Sequence, residues 1–439
     1  DLENHPCLAT ANIDGSGIYQ GFYNYGLAVS HNDADVVWVG VQSLSSTDDG
    51  GVTWKRIGGY GASTYDLGWV HVDIQDIHVQ GNDIWFATDG GLNYSNDELT
   101  SHTSRKRGIY NSTLWGFAQG WNSDVQAAGR YHNGNMGFRQ DFGTGNQLAL
   151  GGGEAPTGYV NPLDNNELHF SDIHDKRLPE SFSGTPSNIG NLSLYPNEDY
   201  SLSNSSELVY DTLYAHWMAL GNESVFYCSF NNGWQFEAYH DFGSGKVLEI
   251  EQGRTNRDLF YAAVQQSSIS TLHKSTDGGI TWTAISGLPS NWQKMEIALN
   301  PSDDNDIWVI KANAGEIKRS LDGGGTWSDV GNGLQNEQLH DIVCLGGAGS
   351  IAISRTNVFH RATGENSWTS FDSGTPELWM PLECIPFYRD AVLRLGDKGK
   401  GIWQADFPFV PEPIAQPMTS KQEVFCPSDI VQFDCHSIQ

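Results

Sequence analysis

Short apolar runs bounded by Gly, Asn or Asp recur along the whole chain. They are rich in Val, Ile, Trp, Tyr and Phe, and no stretch keeps the period of 3.6 residues that marks an amphipathic helix. Residues 27–39 show the repeated unit, in which an apolar strand, a turn rich in Asn and Asp, and a second apolar strand follow one another. Residues 250–264 and 297–310 repeat it. The pattern predicts an all-β protein built from similar antiparallel sheets.

A short motif follows three of these units. It reads Ser/Thr-x-Asp-x-Gly-x-Thr-Trp and occupies residues 47–54, 275–282 and 320–327. The Asp and the Ser or Thr can bond nearby backbone N–H groups and close a turn, while Gly supplies a positive φ. The Trp begins the next strand as a large apolar plug. A structural role is therefore predicted for six residues: Asp49, Trp54, Asp277, Trp282, Asp322 and Trp327.

The spacing of the motif indicates the architecture. Trp282 and Trp327 lie 45 residues apart, which suits one four-stranded blade of a β-propeller per repeat. With degenerate copies at 159–170, 229–234 and 361–368, the count is about nine blades, between eight and ten. The predicted domains are a β-propeller over residues 1–407, a Pro-rich linker over 408–418, and a partial Ig- or PKD-like segment over 419–439.

The motif resembles the Asp-box, or BNR repeat, of sialidases, of the Vps10/sortilin group and of xyloglucanase-like glycoside hydrolases. Residues 20–30, 71–76 and 88–95 are similar to large secreted bacterial propellers of that superfamily, some with PKD modules. The resemblance departs at residues 131–134, which read Tyr-His-Asn-Gly. It implies an extracellular or cell-surface protein with further modules in the same polypeptide. Sortilin-like members bind peptides and proteins, whereas xyloglucanase-like members use two carboxylates across a cleft, so the resemblance leaves the activity open.

Charge narrows the classes of partner. The 24 basic and 53 acidic residues give a formal charge of −29, which disfavours nucleic acid and anionic membrane surfaces. No apolar run is long enough for membrane insertion. Ca²⁺ suits such a charge, but no Ca²⁺-loop motif is present, so we predict neither a metal nor another cofactor. Cys344 and Cys384 occupy similar points in adjacent repeats and could form a disulfide or remain two buried thiols.

Polar residues at the start of an apolar first strand are the candidate ligand-binding residues, because such strands line the axis of a propeller. In residues 70–79, alternation places His71, Asp73 and Gln75 on one face of a predicted strand, with Asp76 beside them. The alternative is a water-filled wall without a ligand. Later repeats have polar residues at comparable positions: Lys294, Glu296, His340, Asp341, Trp379 and Glu383.

A second candidate cluster contains Arg130, His132 and Asn133. Arg could clamp an acidic group and His could act as acid or base, although a hydrogen-bonded loop explains them equally well. Glu154 follows three glycines and could point inward as a carboxylate, or lie in a solvated turn.

Two main functions remain open. The first is a binding propeller that takes a glycan or protein ligand on its axial face, with His71, Gln75, Arg130, His132, Asn133 and Trp379 as contacts. The second is a polysaccharide hydrolase with Asp73 or Asp76 paired with Glu154. A lyase using Arg130, Tyr131 and His132, and a scaffold that only spaces other modules, are further alternatives.

Overall fold

The structure is a computed structural model. It describes residues 22–60, 65–106, 109, 112–120, 123–152, 158–161, 164–170, 173–190, 206–211, 217–229, 236–371, 380–409, 417–419 and 433–435. Within these ranges the chain is all-β apart from three short 3₁₀ turns, at Gln140–Phe142, Gly346–Ala348 and Tyr388–Asp390. The prediction of an all-β propeller is confirmed, and the described residues form nine sheets of three to five strands and one additional strand pair.

The chain divides into two compact units, residues 1–110 and 111–439, a division that counting repeats did not predict. The first unit contains sheets 1 and 2. Sheet 1 comprises β1 (Gly26–Val29), β2 (Val37–Gly40), β3 (Leu44–Thr47), β4 (Lys55–Gly59) and β5 (Gly68–Trp69), and sheet 2 comprises β6 (Ile74–Gln80), β7 (Asp83–Thr88), β8 (Gly91–Ser95) and β9 (Thr103–Ser104). Trp38, Ile74 and Phe86 belong to their shared core.

The second unit contains sheets 3 to 9. Sheet 3 comprises β10 (Leu114–Gln119), β11 (Val125–Arg130), β12 (Gly134–Arg139) and β13 (Leu148–Gly151); sheet 4 comprises β14 (Gly158–Val160), β15 (Glu167–Phe170), β16 (Asp175–Arg177) and β17 (Ser187–Gly190); sheet 5 comprises β18 (Val209–Tyr210), β19 (Met218–Asn222), β20 (Val225–Cys228) and β21 (Glu237–Asp241). Sheet 6 comprises β22 (Lys246–Gln252), β23 (Phe260–Gln266), β24 (Ile269–Ser275) and β25 (Thr283–Ala284); sheet 7 comprises β26 (Met295–Asn300), β27 (Asp303–Lys311), β28 (Ile317–Ser320) and β29 (Ser328–Asp329). Sheet 8 comprises β30 (Leu339–Cys344), β31 (Gly349–Ser354), β32 (Val358–Ala362) and β33 (Thr369–Ser370); sheet 9 comprises β34 (Pro381–Phe387), β35 (Val392–Asp397) and β36 (Gly401–Asp406), and the separate pair is β37 (Pro417–Thr419) with β38 (Phe433–Cys435).

Sheets 3 to 9 form a closed ring, with apolar clusters between successive sheets. Sheet 9 closes on sheet 3 through a further apolar cluster. The Leu114 N–H donates to the Lys398 carbonyl at 3.0 Å, and the Arg394 guanidinium lies 2.9 Å from the Asp124 carboxylate. At Gly396 an added Cβ would lie 2.9 Å from the Phe117 Cβ, so only glycine permits this close approach without a shift.

The three motif copies form the hairpins β3–β4, β24–β25 and β28–β29 of sheets 1, 6 and 7, and the last two lie at the outer edges of their sheets. In each copy one carboxylate accepts bonds from the backbone N–H and hydroxyl of the following Thr, and from the hydroxyl of the preceding Ser or Thr. The Trp282 ring packs 5.1 Å from the Phe226 ring of the preceding sheet. These carboxylates bond within their own turns, which is the arrangement that a structural role requires.

The described residues include three buried free thiols, at Cys228, Cys344 and Cys384. Of the two alternatives for Cys344 and Cys384, the structure therefore has separate thiols. The predicted domain boundaries and the Ig- or PKD-like character of residues 419–439 stay predictions.

Candidate functional site

An axial cavity of about 810 Å³ lies within the second unit. Its walls come mainly from the first strands of sheets 3, 4 and 6 to 9, the innermost strands of the ring. Residues near the start of those strands therefore face the axis, as the sequence predicts for first strands. Sheet 5 contributes through Ser206 and Glu207, immediately before β18.

Six carboxylate residues line this cavity, on sheets 5 to 9: Glu207, Glu249, Glu251, Glu296, Asp341 and Glu383. Only Arg254 and Lys294 are cationic among its described lining residues, together with the titratable His340. The cavity is therefore acidic, and we call these six residues the acidic ring.

A recurrent β-bulge positions three members of the acidic ring. The register shifts directly before Glu249 in β22, before Asp341 in β30 and before Glu383 in β34. A bulge adds one residue to a strand and re-aims the side chain that follows it. In the first unit the same shift precedes Asp76 in β6, so Asp76 is the repeat-equivalent of these carboxylates.

Carboxyl groups in the acidic ring are close enough to bond one another. Glu207 is hydrogen-bonded to Glu383, and Glu249 to Glu296. Burial, followed by the charge of neighbouring carboxylates, raises the pKa of Glu249 and of Glu383 well above the ordinary value. Two like charges in contact disfavour double ionisation, which adds to the effect of burial on these two groups.

Two other members have raised pKa values for the same main reason. Burial raises the pKa of Glu251 to about 8 and that of Asp341 to about 7. The Asp341 carboxylate also accepts bonds from the N–H groups of Cys384, at 2.7 Å, and Ile342, at 2.6 Å. These bonds favour the charged form, but the loss of hydration has the larger effect.

Lys294 supplies a cation inside the acidic ring. Its Nζ lies 2.6 Å from the Glu296 Oε1, and the charge of Glu296 is the main cause of its raised pKa. Burial lowers the pKa of His340, as does the positive charge of Lys294. The cavity thus accommodates one ammonium group that belongs to the chain itself.

The predicted residues of the first unit occupy a different local structure from the one expected. The continuous strand over residues 70–79 is wrong, because β6 begins at Ile74 and Asp73 has a φ of 65°. His71, Asp73 and Gln75 therefore do not share the face of one regular strand. Asp73 is buried and accepts a bond from the Asn24 side chain at 3.0 Å.

Gln75 is the residue that the bulge in β6 adds, and its amide donates to the Asp89 carboxylate at 2.7 Å. The exposed Asp76 accepts a bond from the Ile77 N–H at 2.9 Å. These contacts hold the start of β6 in place. The ligand-binding role predicted for Gln75 and the catalytic role predicted for Asp76 stay predictions.

Arg130, His132 and Asn133 lie at the turn between β11 and β12. The guanidinium of Arg130 donates to the carbonyls of Asn133, at 2.9 Å, and Gly134, at 3.3 Å. The Asn133 amide donates to the Tyr131 carbonyl at 3.0 Å. These contacts form a turn network, the alternative that the sequence left open. Glu154 and Trp379 lie outside the described residues.

Sequence reasoning identified five of the residues that line the cavity: Lys294, Glu296, His340, Asp341 and Glu383. It missed Glu207, Glu249 and Glu251. A signal for Glu249 is present, since an acid followed by an apolar residue recurs at Asp76, Glu249, Glu296, Asp341 and Glu383. Aligning the repeats on this pair would have included Glu249, and also Glu207, which Leu208 follows. Glu251 is followed by Gln252 and has no such apolar neighbour.

Neither a protein-family model nor a curated protein matches the sequence. Among solved structures, a GH74 enzyme of Niastella koreensis is similar at 14% identity and a TM-score of 0.37, covering 87% of this chain and 68% of that one. The extracellular domain of the hybrid two component system BT4673 from B. thetaiotaomicron is similar at 11% identity and a TM-score of 0.46, covering 90% and 54%. YCF48 bound to D1 peptide is similar at 14% identity and a TM-score of 0.33, covering 78% of this chain and 94% of that one. This likeness concerns the β-propeller fold alone.

Within the described part of the chain, no helix has the length and apolarity needed to cross a membrane.

Proposed function

We propose that the second unit binds a protein ligand outside the cell, through lysine or arginine side chains that enter the axial cavity. The observation that carries the proposal is the acidic ring, in which six carboxylate residues face a single cavity with two cationic ones. A cavity of about 810 Å³ also lies within the range of about 300–1,000 Å³ that ligand pockets occupy.

Lys294 supports a cationic ligand. Its ammonium group bonds Glu296 at 2.6 Å, so the cavity already stabilises one group of the kind proposed. Glu251 and the hydrogen-bonded pair of Glu207 with Glu383 offer further acceptors. A neutral glycan would leave the charge of the acidic ring uncompensated, which makes it the weaker choice for this cavity.

The raised pKa values of the acidic ring lead to a specific pH dependence of ligand binding. An incoming cation favours the charged form of a carboxyl group, so binding should release protons. The affinity should therefore rise between about pH 6 and 9, as groups with pKa values of about 7 and 8 ionise.

The experiment titrates the protein with a lysine-rich octapeptide and with the same peptide acetylated on every lysine. Calorimetry in two buffers that differ in ionisation enthalpy counts the protons released. We expect binding of the first peptide only, proton release near pH 7, and weaker binding by Glu251→Gln. Glu365→Gln, an exposed change outside the cavity, is the matched control. Equal binding of both peptides, or no binding of either, would overturn the proposal.

A polysaccharide hydrolase is the second candidate, favoured by Asp341. A carboxyl group with a pKa of about 7 can act as a general acid at neutral pH. The hydrogen-bonded carboxyl pairs do not suit this reaction. A glycoside hydrolase needs its two catalytic carboxyl groups about 5–5.5 Å apart for retention, or about 6.5–9.5 Å apart for inversion. Release of reducing sugar from a neutral polysaccharide, and its loss in Asp341→Asn, would favour this candidate. The assignment of Asp73, Asp76 and Glu154 as catalytic stays a prediction.

A further inference from the structure

We propose that the first unit has its own binding site for a neutral carbohydrate chain, on an exposed aromatic platform formed by Tyr60, Trp69 and His71. Tyr60 is 50% exposed and Trp69 53% exposed, although both are large apolar side chains. Their ring centroids lie 6.3 Å apart with planes inclined by 26°. The His71 ring lies 5.7 Å from Tyr60 and 6.1 Å from Trp69, near a right angle to both.

An extra strand presents this platform. Of the nine sheets in the described chain, only sheet 1 has a fifth strand, and β5 runs parallel to β4 where every other pairing is antiparallel. Its register places Trp69 opposite Gly59, next to Tyr60. The neighbouring Leu67 and Val70 are buried in the core, whereas Trp69 points outward. The propeller repeat does not need this strand, so its exposed tryptophan calls for a function other than packing.

Backbone and polar contacts hold the platform in place. His102 bonds the Trp69 carbonyl at 3.1 Å, and the Nδ1 of His71 lies 3.0 Å from the Val72 carbonyl. A preorganised aromatic surface loses little conformational entropy when a ligand binds.

Carboxylates lie beside the aromatic rings. Partial burial, followed by the charges of Asp73 and Asp89, raises the pKa of Tyr60. The Asp89 carboxylate accepts bonds from Gln75 at 2.7 Å and from the Tyr23 hydroxyl at 3.2 Å. Flat aromatic faces suit the apolar faces of sugar rings, and a rim of carboxylate, amide and imidazole groups suits their hydroxyls. The same carboxylates would repel a uronate, so the site favours a neutral sugar.

The geometry disfavours a cage for a methylated ammonium group. Two facing rings with that group between them need a separation of about 7–8 Å, which is the length of two van der Waals contacts. The centroids of Tyr60 and Trp69 are only 6.3 Å apart, which leaves no room for that group between the rings, so they offer their outer faces.

The test measures binding of cellohexaose, xylohexaose and mannohexaose by calorimetry, with hexagalacturonate as the anionic comparison. We expect at least one neutral hexasaccharide to bind, and Trp69→Ala and Tyr60→Ala to weaken it roughly tenfold each. Trp403→Ala, which removes an exposed tryptophan of the second unit, should leave the affinity unchanged. Trp69→Phe keeps an aromatic face and should retain most of the affinity. This variant replaces Trp69→Ala in the test if the alanine variant fails to fold.

No binding of any neutral hexasaccharide at millimolar concentration would overturn the proposal. So would wild-type affinity in Trp69→Ala, or equal binding of hexagalacturonate. Because these residues belong to the first unit, the outcome is independent of the peptide test on the axial cavity.

Discussion

Single glycines in the motif hairpins meet two separate constraints, backbone conformation and space. Gly279 and Gly364 have nearly the same φ, 87° and 88°. A Cβ at Gly279 would lie 2.1 Å from the Cε1 of the buried Phe226, whereas nothing lies within 4 Å of one at Gly364. The left-handed backbone costs an alanine about 1–2 kcal/mol at either position, and overpacking adds about 1–3 kcal/mol at Gly279 alone.

We therefore predict that Gly279→Ala lowers the free energy of unfolding by more than Gly364→Ala does. Urea denaturation of the two variants and the wild type measures the difference. Equal losses would show that Phe226 moves aside freely.

A fourth hairpin shows why residue identity alone missed a copy of the motif. Ser95, Asp97 and Ser101 make the same bonds as the Ser/Thr, Asp and Thr of the other three hairpins. Glu98 and Leu99 adopt φ values of 57° and 56° where those hairpins have glycines. The sequence predicts a positive φ only where glycine makes it inexpensive. Here the bonds of the turn and the burial of Leu99 impose it instead.

At the scale of the hairpin element, the motif carboxylate should make stability depend on acid. Bonds from the Thr281 hydroxyl and N–H lower the pKa of Asp277 to about 2, from 3.8. A lowered pKa in the folded state means that the stabilisation is complete above about pH 4 and is lost as the pH falls towards 2. Asp277→Asn should therefore melt at a lower temperature than the wild type at pH 6, and the gap should narrow below about pH 3. A gap of constant size across this range would contradict the role assigned to the charge.

The first strands illustrate what could be predicted for an element and what could not. The alternation of apolar and polar residues places Glu296, Asp341 and Glu383 at the axis without any coordinates. It does not reveal the bulges, because an inserted residue changes the strand register without a distinctive residue type. For the same reason the predicted face of His71, Asp73 and Gln75 is not formed, since a left-handed residue interrupts the strand there.

At the scale of the whole second unit, a buried ion pair joins sheets 9 and 3 where the ring closes. The side chains of Arg394 and Asp124 are only 3% and 12% exposed and lie 2.9 Å apart. Removing one partner of such a pair leaves an uncompensated charge, so Arg394→Gln should lower the free energy of unfolding by about 3–5 kcal/mol. The nearby pair Arg389–Asp390 is 35% and 40% exposed, and Arg389→Gln should cost less than about 1 kcal/mol. Similar losses in the two variants, measured by denaturation, would refute the importance of closure at this pair.

Counting repeats gave the number of sheets but not their grouping. Every sheet has similar local signals in sequence, whereas closure depends on contacts between residues as distant as Phe117 and Gly396. Such long-range pairs leave no periodic trace in one sequence, so the ring of seven could not be separated from the two preceding sheets.

The acidic ring should make the whole second unit less stable as the pH rises. Glu251 has a pKa of about 8 in the folded state, against 4.5 as the ordinary value. The folded protein therefore holds this proton more tightly, so the cost of ionising the group in the cavity is absent below about pH 4.5 and complete above about pH 8. Glu251→Gln removes that cost and keeps the shape of the side chain. We predict that the variant gains stability over the wild type at pH 9 and shows no gain at pH 4, by thermal or urea denaturation. If the two proteins differ equally at both pH values, the carboxyl group is hydrated as in water, and the proton release proposed for ligand binding loses its basis.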